Sequence, residues 1–380
     1  MKQLLIILML FIRLTTIAQD SSAKINKLTF SGYIKDLQWV RFDKNFSKGY
    51  YTNLVHNRIN LKWKPSEIIT GRLEIRNRFY WGEDVSIPGF KEQLRNENEA
   101  ADLSLTVVDT RKAIVHTNIE RLWFEYRRSK WNVRAGRQRM NWGITNIWNP
   151  NDIFNSYNFL DFDYEERPGS DAIRYQYLIT DLSNIEVAMA VTQFDPIAAI
   201  RYSTNFKKYD LQLLAGIYQN KFTAGIGWAG SISDVGFKGE AQLYSGRRDS
   251  GMNLSATMEA DYIFGKGWYL SAGLLYNHYG LNTPVTDWSS ISFRMAPHSL
   301  MPSKWSIIVN SSKEFTPIFS GSISAVYSPQ VNMLILFPSF KYNVGENMDL
   351  DLVWQSFFTE LLKKFQAVSH TGYVRIKWSF

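Results

Sequence analysis

The chain has 380 residues, a formal net charge of +8, no cysteine, and 13 Trp, 20 Tyr and 24 Phe. The missing cysteines exclude a disulfide-stapled scaffold, and the modest, dispersed basic excess excludes the dense patch of a nucleic-acid binder. Beyond the N-terminal segment no run of 18 apolar residues occurs, which excludes transmembrane helices but leaves membrane-spanning strands open.

The first element is M-K-Q-L-L-I-I-L-M-L-F-I-R-L-T-T-I-A-Q. Lys2 supplies positive charge, Leu4 to Ile12 an apolar core, and Thr16-Ile17-Ala18 a small-residue cleavage site, the anatomy of a secretory signal peptide over residues 1–18. Loss of Lys2 and Arg13 lowers the mature charge to +6. The expectation is an exported chain that begins near Gln19 and forms a single domain over 19–380. Without disulfides, its stability must come from a large continuous hydrogen-bonded structure.

From residue 53 onward, period-2 alternation dominates. Ile59, Leu61 and Trp63 alternate with Arg58, Asn60 and Lys62; Leu73, Ile75 and Phe79 alternate with Arg72, Glu74, Arg76 and Arg78. Further on, Ala256, Met258, Ala260 and Tyr262 alternate with Ser255, Thr257, Glu259 and Asp261. Met348, Leu350, Leu352 and Trp354 alternate with Asp349, Asp351 and Gln355. Tight turns fall at 64–67, 128–130, 180–183, 207–208, 233–234, 265–267 and 345–347. Long polar stretches fall at 38–52, 80–116, 141–170, 246–253, 280–303 and 357–368. Alternating short and long connections, with every strand leading to the next, mark an all-β, up-and-down antiparallel transmembrane barrel with short periplasmic turns and long outer loops. Parity requires 304–315 and 318–327 to be separate strands, giving about 18; 16 is the alternative.

The chain ends in Y-V-R-I-K-W-S-F, with Val374, Ile376, Trp378 and Phe380 on one face and Arg375 and Lys377 on the other. Together with Tyr373, this stretch resembles the C-terminal strand by which barrel-insertion machinery recognises its clients. The lipid of a Gram-negative-type outer membrane is the expected surroundings. The barrel is expected to stand alone, as a homo-trimer, or beside other outer-membrane proteins.

A barrel of about 18 strands is too wide for side chains to fill. The expected lumen lining is Arg58, Lys62, Arg72, Glu74, Arg76, Arg78, Arg134, Arg174, Arg375 and Lys377. The expected constriction is the 141–170 stretch, whose Trp148, Ile153, Phe154, Phe159, Leu160 and Phe162 are too apolar for a solvated loop. Its Asp152, Asp161, Asp163, Glu165 and Glu166, with Arg167 among them, face arginines such as Arg72, Arg76, Arg134 and Arg174. The result is either a transverse field that sorts solutes or charges that only brace the loop. A calcium site at Asp161, Asp163 and Glu165 is a lesser alternative, since it lacks the EF-hand spacing; no other cofactor or metal is implied.

In A-G-R-Q-R-M-N-W-G, residues 135–143, alternation from Val133 and Ala135 directs Arg137 and Arg139 to the lipid side, so either a bulge at Gly136 breaks the parity or these arginines sit above the hydrocarbon among lipid phosphates. The G-R-Q then W-G stretch resembles the corresponding place in substrate-channel barrels, especially the alginate-export family. That resemblance implies a wide channel with an arginine-lined lumen for an anionic polysaccharide.

His56, His116, His278, His298 and His370 read as solvated loop residues, and no G-x-S-x-G or H-E-x-x-H occurs. Asp287, Ser290 and Ser299 near His278 and His298 are the nearest approach to a hydrolytic site. An enzyme is not expected. Short outer connections at Asp195-Pro196, Gln219-Asn220 and Ser328-Pro329-Gln330 leave a low flank, so an accessory barrel in a larger outer-membrane assembly is the alternative to a channel.

Overall fold

The structure, a computed structural model, describes residues 27–94, 99–155, 163, 168–245, 251–284 and 295–380. The signal segment, together with Phe159, Leu160, Asp161, Phe162, Glu165, Glu166, Arg167, Asp287 and Ser290, lies outside the described residues. The strands are β1 (Leu28–Asp43), β2 (Gly49–Trp63), β3 (Ile69–Gly82), β4 (Ser104–Asp109), β5 (Ala113–Arg128), β6 (Trp131–Gln138), β7 (Ser170–Thr180), β8 (Ser183–Val191), β9 (Ile197–Phe206) and β10 (Tyr209–Tyr218). They continue with β11 (Lys221–Ile232), β12 (Val235–Ser245), β13 (Asn253–Phe264), β14 (Trp268–Asn277), β15 (Trp305–Thr316), β16 (Phe319–Ser328), β17 (Met333–Gly345), β18 (Met348–Leu361) and β19 (Lys364–Ser379).

Every ladder is antiparallel, and β1 closes the ring on β19, with Tyr33 opposite Ser379 and Asp43 opposite Ser369. Gly32 and Phe380 exchange two backbone hydrogen bonds of 2.9 Å at the seam. Closure leaves no edge to be satisfied in hydrocarbon. β3 pairs with β5 rather than with β4. On the far side of β5, the partner changes from β6 to β4 between Leu122 and Asn118. Two part-length strands therefore share one wall position, and the wall is the expected 18-stranded barrel.

Alternation decides which way each side chain points. Val374, Ile376 and Trp378, like Ile226, Met258, Ile307 and Leu352, are 40–48 % exposed on the outside, whereas Arg375 is buried inside. An outer apolar row on a closed ring suits a lipid surround, and the polar row faces the interior. Tyr373, named with the C-terminal strand, is on the inward row, packed beside Leu37, Leu54 and Tyr80. It shares parity with Arg375, so it cannot belong to the lipid-facing row.

One end of the barrel carries only tight turns. Lys207 (φ 49°) and Lys208 (φ 70°) both adopt the left-handed conformation, the geometry of a two-residue hairpin turn. The other end carries the long connections 83–103, 139–169 and 278–304. Between them the rim drops at two places: at 192–196 with Gln219-Asn220, and at 329–332 with Leu362-Lys363. The polar stretch 357–368 is therefore a hairpin, not a long loop. Leu362 and Lys363 (φ 53° and 62°) make the turn without the glycine or asparagine that would have announced it.

Candidate functional site

The inward face divides into two walls. On β2, β3 and β5, Arg58 is fully buried between Glu74 and Glu120 (3.7 Å), Arg72 also pairs with Glu74, and Arg76 reaches Glu120 at 3.2 Å. The Arg76 Nε donates to His56 Nε2 at 3.1 Å; Arg78 approaches His116 Nδ1 at 3.0 Å and donates to the Leu94 carbonyl at 3.1 Å. Glu120 reaches this set through a bulge: Glu74 faces Arg121 while Ile75 faces Ile119, so Glu120 is the extra residue and both it and Arg121 are buried. Arg375 bonds Asp351 (2.9 Å), and the Lys377 ammonium sits 4.7 Å from the Tyr33 ring centre. Lys62 is exposed near the turn end. These arginines are thus bound into a carboxylate network, which is what burial of a charge demands.

Arg134, Arg174 and Arg201 differ. They stand on β6, β7 and β9 and pair with Glu125 (2.6 and 3.5 Å) and Glu186 (3.4 Å), with side chains 15–19 % exposed, and Asp152 lies within electrostatic reach of Arg201. Arg134 lies 4.0 Å from the Trp123 ring centre and Arg201 lies 5.3 Å from that of Trp142. With Arg127, which also reaches Glu125 at 3.1 Å, and with Asp152 near Arg201, four guanidiniums stand against three carboxylates among the described residues and leave a net positive strip facing the interior.

Segment 139–155 runs across the interior from the end of β6. Trp142 Nε1 donates to Glu186 at 2.5 Å, and Gln212 donates to the Trp142 carbonyl at 2.7 Å. Glu240 accepts from the backbone N–H of Ile144, Thr145 (2.8 Å) and Asn151 (2.9 Å); Glu259 accepts from those of Asn146 (2.8 Å) and Ile147 (2.9 Å). Trp148 is buried with Leu275, Ile308 and Val326, and Phe154 stands edge-on to Trp142 at 4.9 Å. The approach needs Gly227: a Cβ there would lie 2.9 Å from Ile144 and 3.0 Å from the Asn151 amide.

The polarity of this contact reverses the expectation. Loop carboxylates were to meet wall arginines; over 139–155 it is chiefly wall carboxylates that gather loop N–H groups, while Asp152 accepts from the Trp142 N–H (3.4 Å) of its own segment and lies near the wall arginine Arg201. Asp163 follows the expected sense with other partners, contacting Lys35 at 2.5 Å, His56 at 3.7 Å and Arg375 at 3.8 Å. Burial alone would raise the Asp163 carboxyl, but His56 and Lys35 outweigh it and hold it below the usual carboxylate range. Asp161 and Glu165 lie outside the described residues, and with them the calcium reading.

Arg137 is neither among lipid phosphates nor turned inward by a bulge. The ladder runs through Gly136 (φ 112°) without a register shift. Arg137 is buried among Asp171 (2.8 Å), Glu99 (2.9 Å) and the carbonyls of Ile119 and Ala101, where β6 gives way to β4. Arg139 is exposed. Three histidines are not solvated loop residues: His56 and His116 are buried in the lumen wall, and His370 lies under the Phe46 ring (4.4 Å) and bonds Ser356. His298 packs against Tyr218 and Tyr244, and burial pushes its imidazole down to about 4.

The second wall, β10–β18, contains no arginine. Its inward rows are rich in hydroxyls: Ser306 bonds Ser328, Ser322 bonds Ser339 and Ser324 bonds Asn310, each at 2.8 Å. Glu186, Glu240, Glu259 and Glu120, which organise the interior, escaped the sequence reading. For Glu240 the usable signal was an inward-row glutamate with no cation in register, whereas Glu186 faces Arg201 and Glu259 faces Lys238.

No protein-family model matches the sequence, and no curated protein matches it. Solved structures do resemble it in fold. Acinetobacter baumannii OccAB3 aligns over 94 % of this chain and 100 % of its own, with 10 % identity and a TM-score of 0.60. A BenF-like porin from Pseudomonas fluorescens Pf-5 covers 93 % and 98 %, with 10 % identity and a TM-score of 0.57. Pseudomonas aeruginosa OpdK, solved with vanillate, covers 93 % and 98 %, with 10 % identity and a TM-score of 0.56. The chain thus has the barrel fold of these porins over nearly its full length.

Proposed function

We propose that the protein is a porin of a Gram-negative-type outer membrane that passes small hydrophilic anions, with segment 139–155 as its constriction and no enzymatic activity. The observation that carries this is the strip Arg134, Arg174 and Arg201, whose three guanidiniums share Glu125 and Glu186 and face the same lumen that the segment crosses. Such a strip lowers the energy of an anion inside the barrel relative to a cation. Guanidinium also grips carboxylate through two parallel bonds. The fold neighbour crystallised with vanillate, a carboxylate, supports the same solute class. The resemblance at 135–143 to the alginate-export family adds anionic saccharides as one form of it. Planar-bilayer reversal potentials in a KCl gradient test the proposal. A chloride preference that falls in the Arg134, Arg174, Arg201→Ala triple variant supports it, and a barrel that passes no ion overturns it.

The two low stretches of rim, at 192–196 with Gln219-Asn220 and at 329–332 with Leu362-Lys363, favour a second reading in which neighbours pack there, as copies of this chain or as other outer-membrane proteins. Mass measurement of the native protein in mild detergent separates the cases; a lone monomer removes it.

A further inference from the structure

Near the turn end of the second wall, four inward side chains lie in register across four strands: Tyr269 on β14 faces Ser312 on β15, Ser312 faces Ser322 on β16, and Ser322 faces Ser339 on β17. At the spacing of neighbouring strands this hydroxyl row is about 14 Å long. It floors a recess of about 540 Å³, bounded also by Glu314 and Lys341. That size is within the range of small-molecule sites. Ser322 and Ser339 bond each other at 2.8 Å, whereas among the described residues the Tyr269 and Ser312 hydroxyls meet no hydrogen-bond partner. The row lies four residues along β14 from Gly273, where the ring of Trp148 comes to 3.7 Å of the Cβ position, so a solute leaving the constriction meets it just beyond the Ser271, Asn310 and Ser324 row.

Aliphatic and aromatic hydroxyls both donate and accept, so a row of them matches a partner that also does both at each carbon. A carboxylate alone is matched less well here, because the Lys341 ammonium at the edge already pairs with Asp349 (3.0 Å) and the neutral hydroxyls offer no guanidinium fork. We infer that this recess is a subsite for the hydroxylated part of the solute, which makes the preferred cargo a polyhydroxylated carboxylate: its charged end follows Arg134, Arg174 and Arg201, and its hydroxyls follow the row from Tyr269 to Ser339. The inference rests on the channel reading above and names the cargo within it.

The test uses the full-length barrel in planar bilayers, with reversal potentials in gradients of sodium gluconate and sodium hexanoate, each referred to chloride in the same channel. Gluconate, though bulkier and better hydrated, should permeate at least as well as hexanoate. In the Ser312→Ala, Ser322→Ala, Ser339→Ala variant the gluconate-to-hexanoate ratio should fall about fivefold, the loss of roughly one net hydrogen bond. A variant ratio equal to that of the unaltered protein, or hexanoate preferred from the outset, overturns the recess while leaving the anion channel standing. A barrel that conducts no ion overturns both.

Discussion

The basic wall and the hydroxyl wall meet the same requirement by opposite means. On β2–β9 and β19, inward arginines are set against carboxylates of neighbouring strands, so the wall is braced within itself: Arg58 lies between Glu74 and Glu120, and Arg375 against Asp351. On β12 and β13, Glu240 and Glu259 have no arginine on their wall, and they spend their lone pairs on the backbone of a segment some 90 to 113 residues away in sequence. One wall is thus stiffened and left with a residual positive strip; the other serves as an anchor for the segment that narrows the lumen. What an inward carboxylate does here is set by whether an arginine stands in register with it: Glu259 faces only Lys238, and Glu240 faces no cation.

The widest test of this contrast is removal of the anchor. In Glu240→Ala, Glu259→Ala, the N–H groups of Ile144, Thr145, Asn146, Ile147 and Asn151 lose their acceptors, at roughly 1–3 kcal/mol for each that stays buried. The segment should leave its place, and single-channel conductance should rise; unchanged conductance would show that 139–155 does not limit the lumen. Next, Glu120→Gln removes the shared partner of Arg58 and Arg76, and breaking a buried pair costs about 3–5 kcal/mol in a dry interior and less in a wetted one. The temperature at which the folded form converts on an SDS gel should fall, whereas Ser324→Ala on the other wall, which loses one neutral hydrogen bond, should move it by far less. An equal shift for the two would erase the distinction between the walls. Single replacement of Arg174 by Ala should lower chloride preference by less than the triple variant does, as reversal potential will report.

The smallest expected effect is acid loosening at His298. Its folded imidazole titrates near 4 rather than at its usual 6.5, so between these values the unfolded segment takes up a proton that the folded one refuses. Stability around 295–303 is therefore lost as pH falls from 6.5 toward 4, and hydrogen exchange there should quicken at pH 5 in the unaltered protein but not in His298→Phe.

The outer face was legible in the sequence because period 2 alone fixes it: Val374, Ile376 and Trp378 point outward wherever the neighbouring strand lies. The turn end was legible for a similar reason, since Lys207-Lys208 and Ser233-Asp234 interrupt alternation over two residues. The lining arginines were visible as a row, but their partners were not, because Arg58 finds Glu120 only after β3 pairs with β5 across the intervening residues 83–112 and a bulge. Nothing local in Glu240 or Glu259 announces the backbone they hold. Tyr373 and Arg137 show the limit from the other side: parity gives a face, and the neighbours present on that face decide what a side chain touches.

The wall position shared by β4 and β6 has a mechanical consequence. Around most of the circumference, hoop tension passes from strand to strand through ladders that run the height of the barrel. Along this line the ladder of β5 changes partner between Leu122 and Asn118, and the join is bridged by the guanidinium of Arg137 with Asp171 and Glu99. A stretched or heated barrel should yield first along that line, and a spectroscopic ruler between positions 105 and 173 would record its widening while the β1–β19 seam still holds.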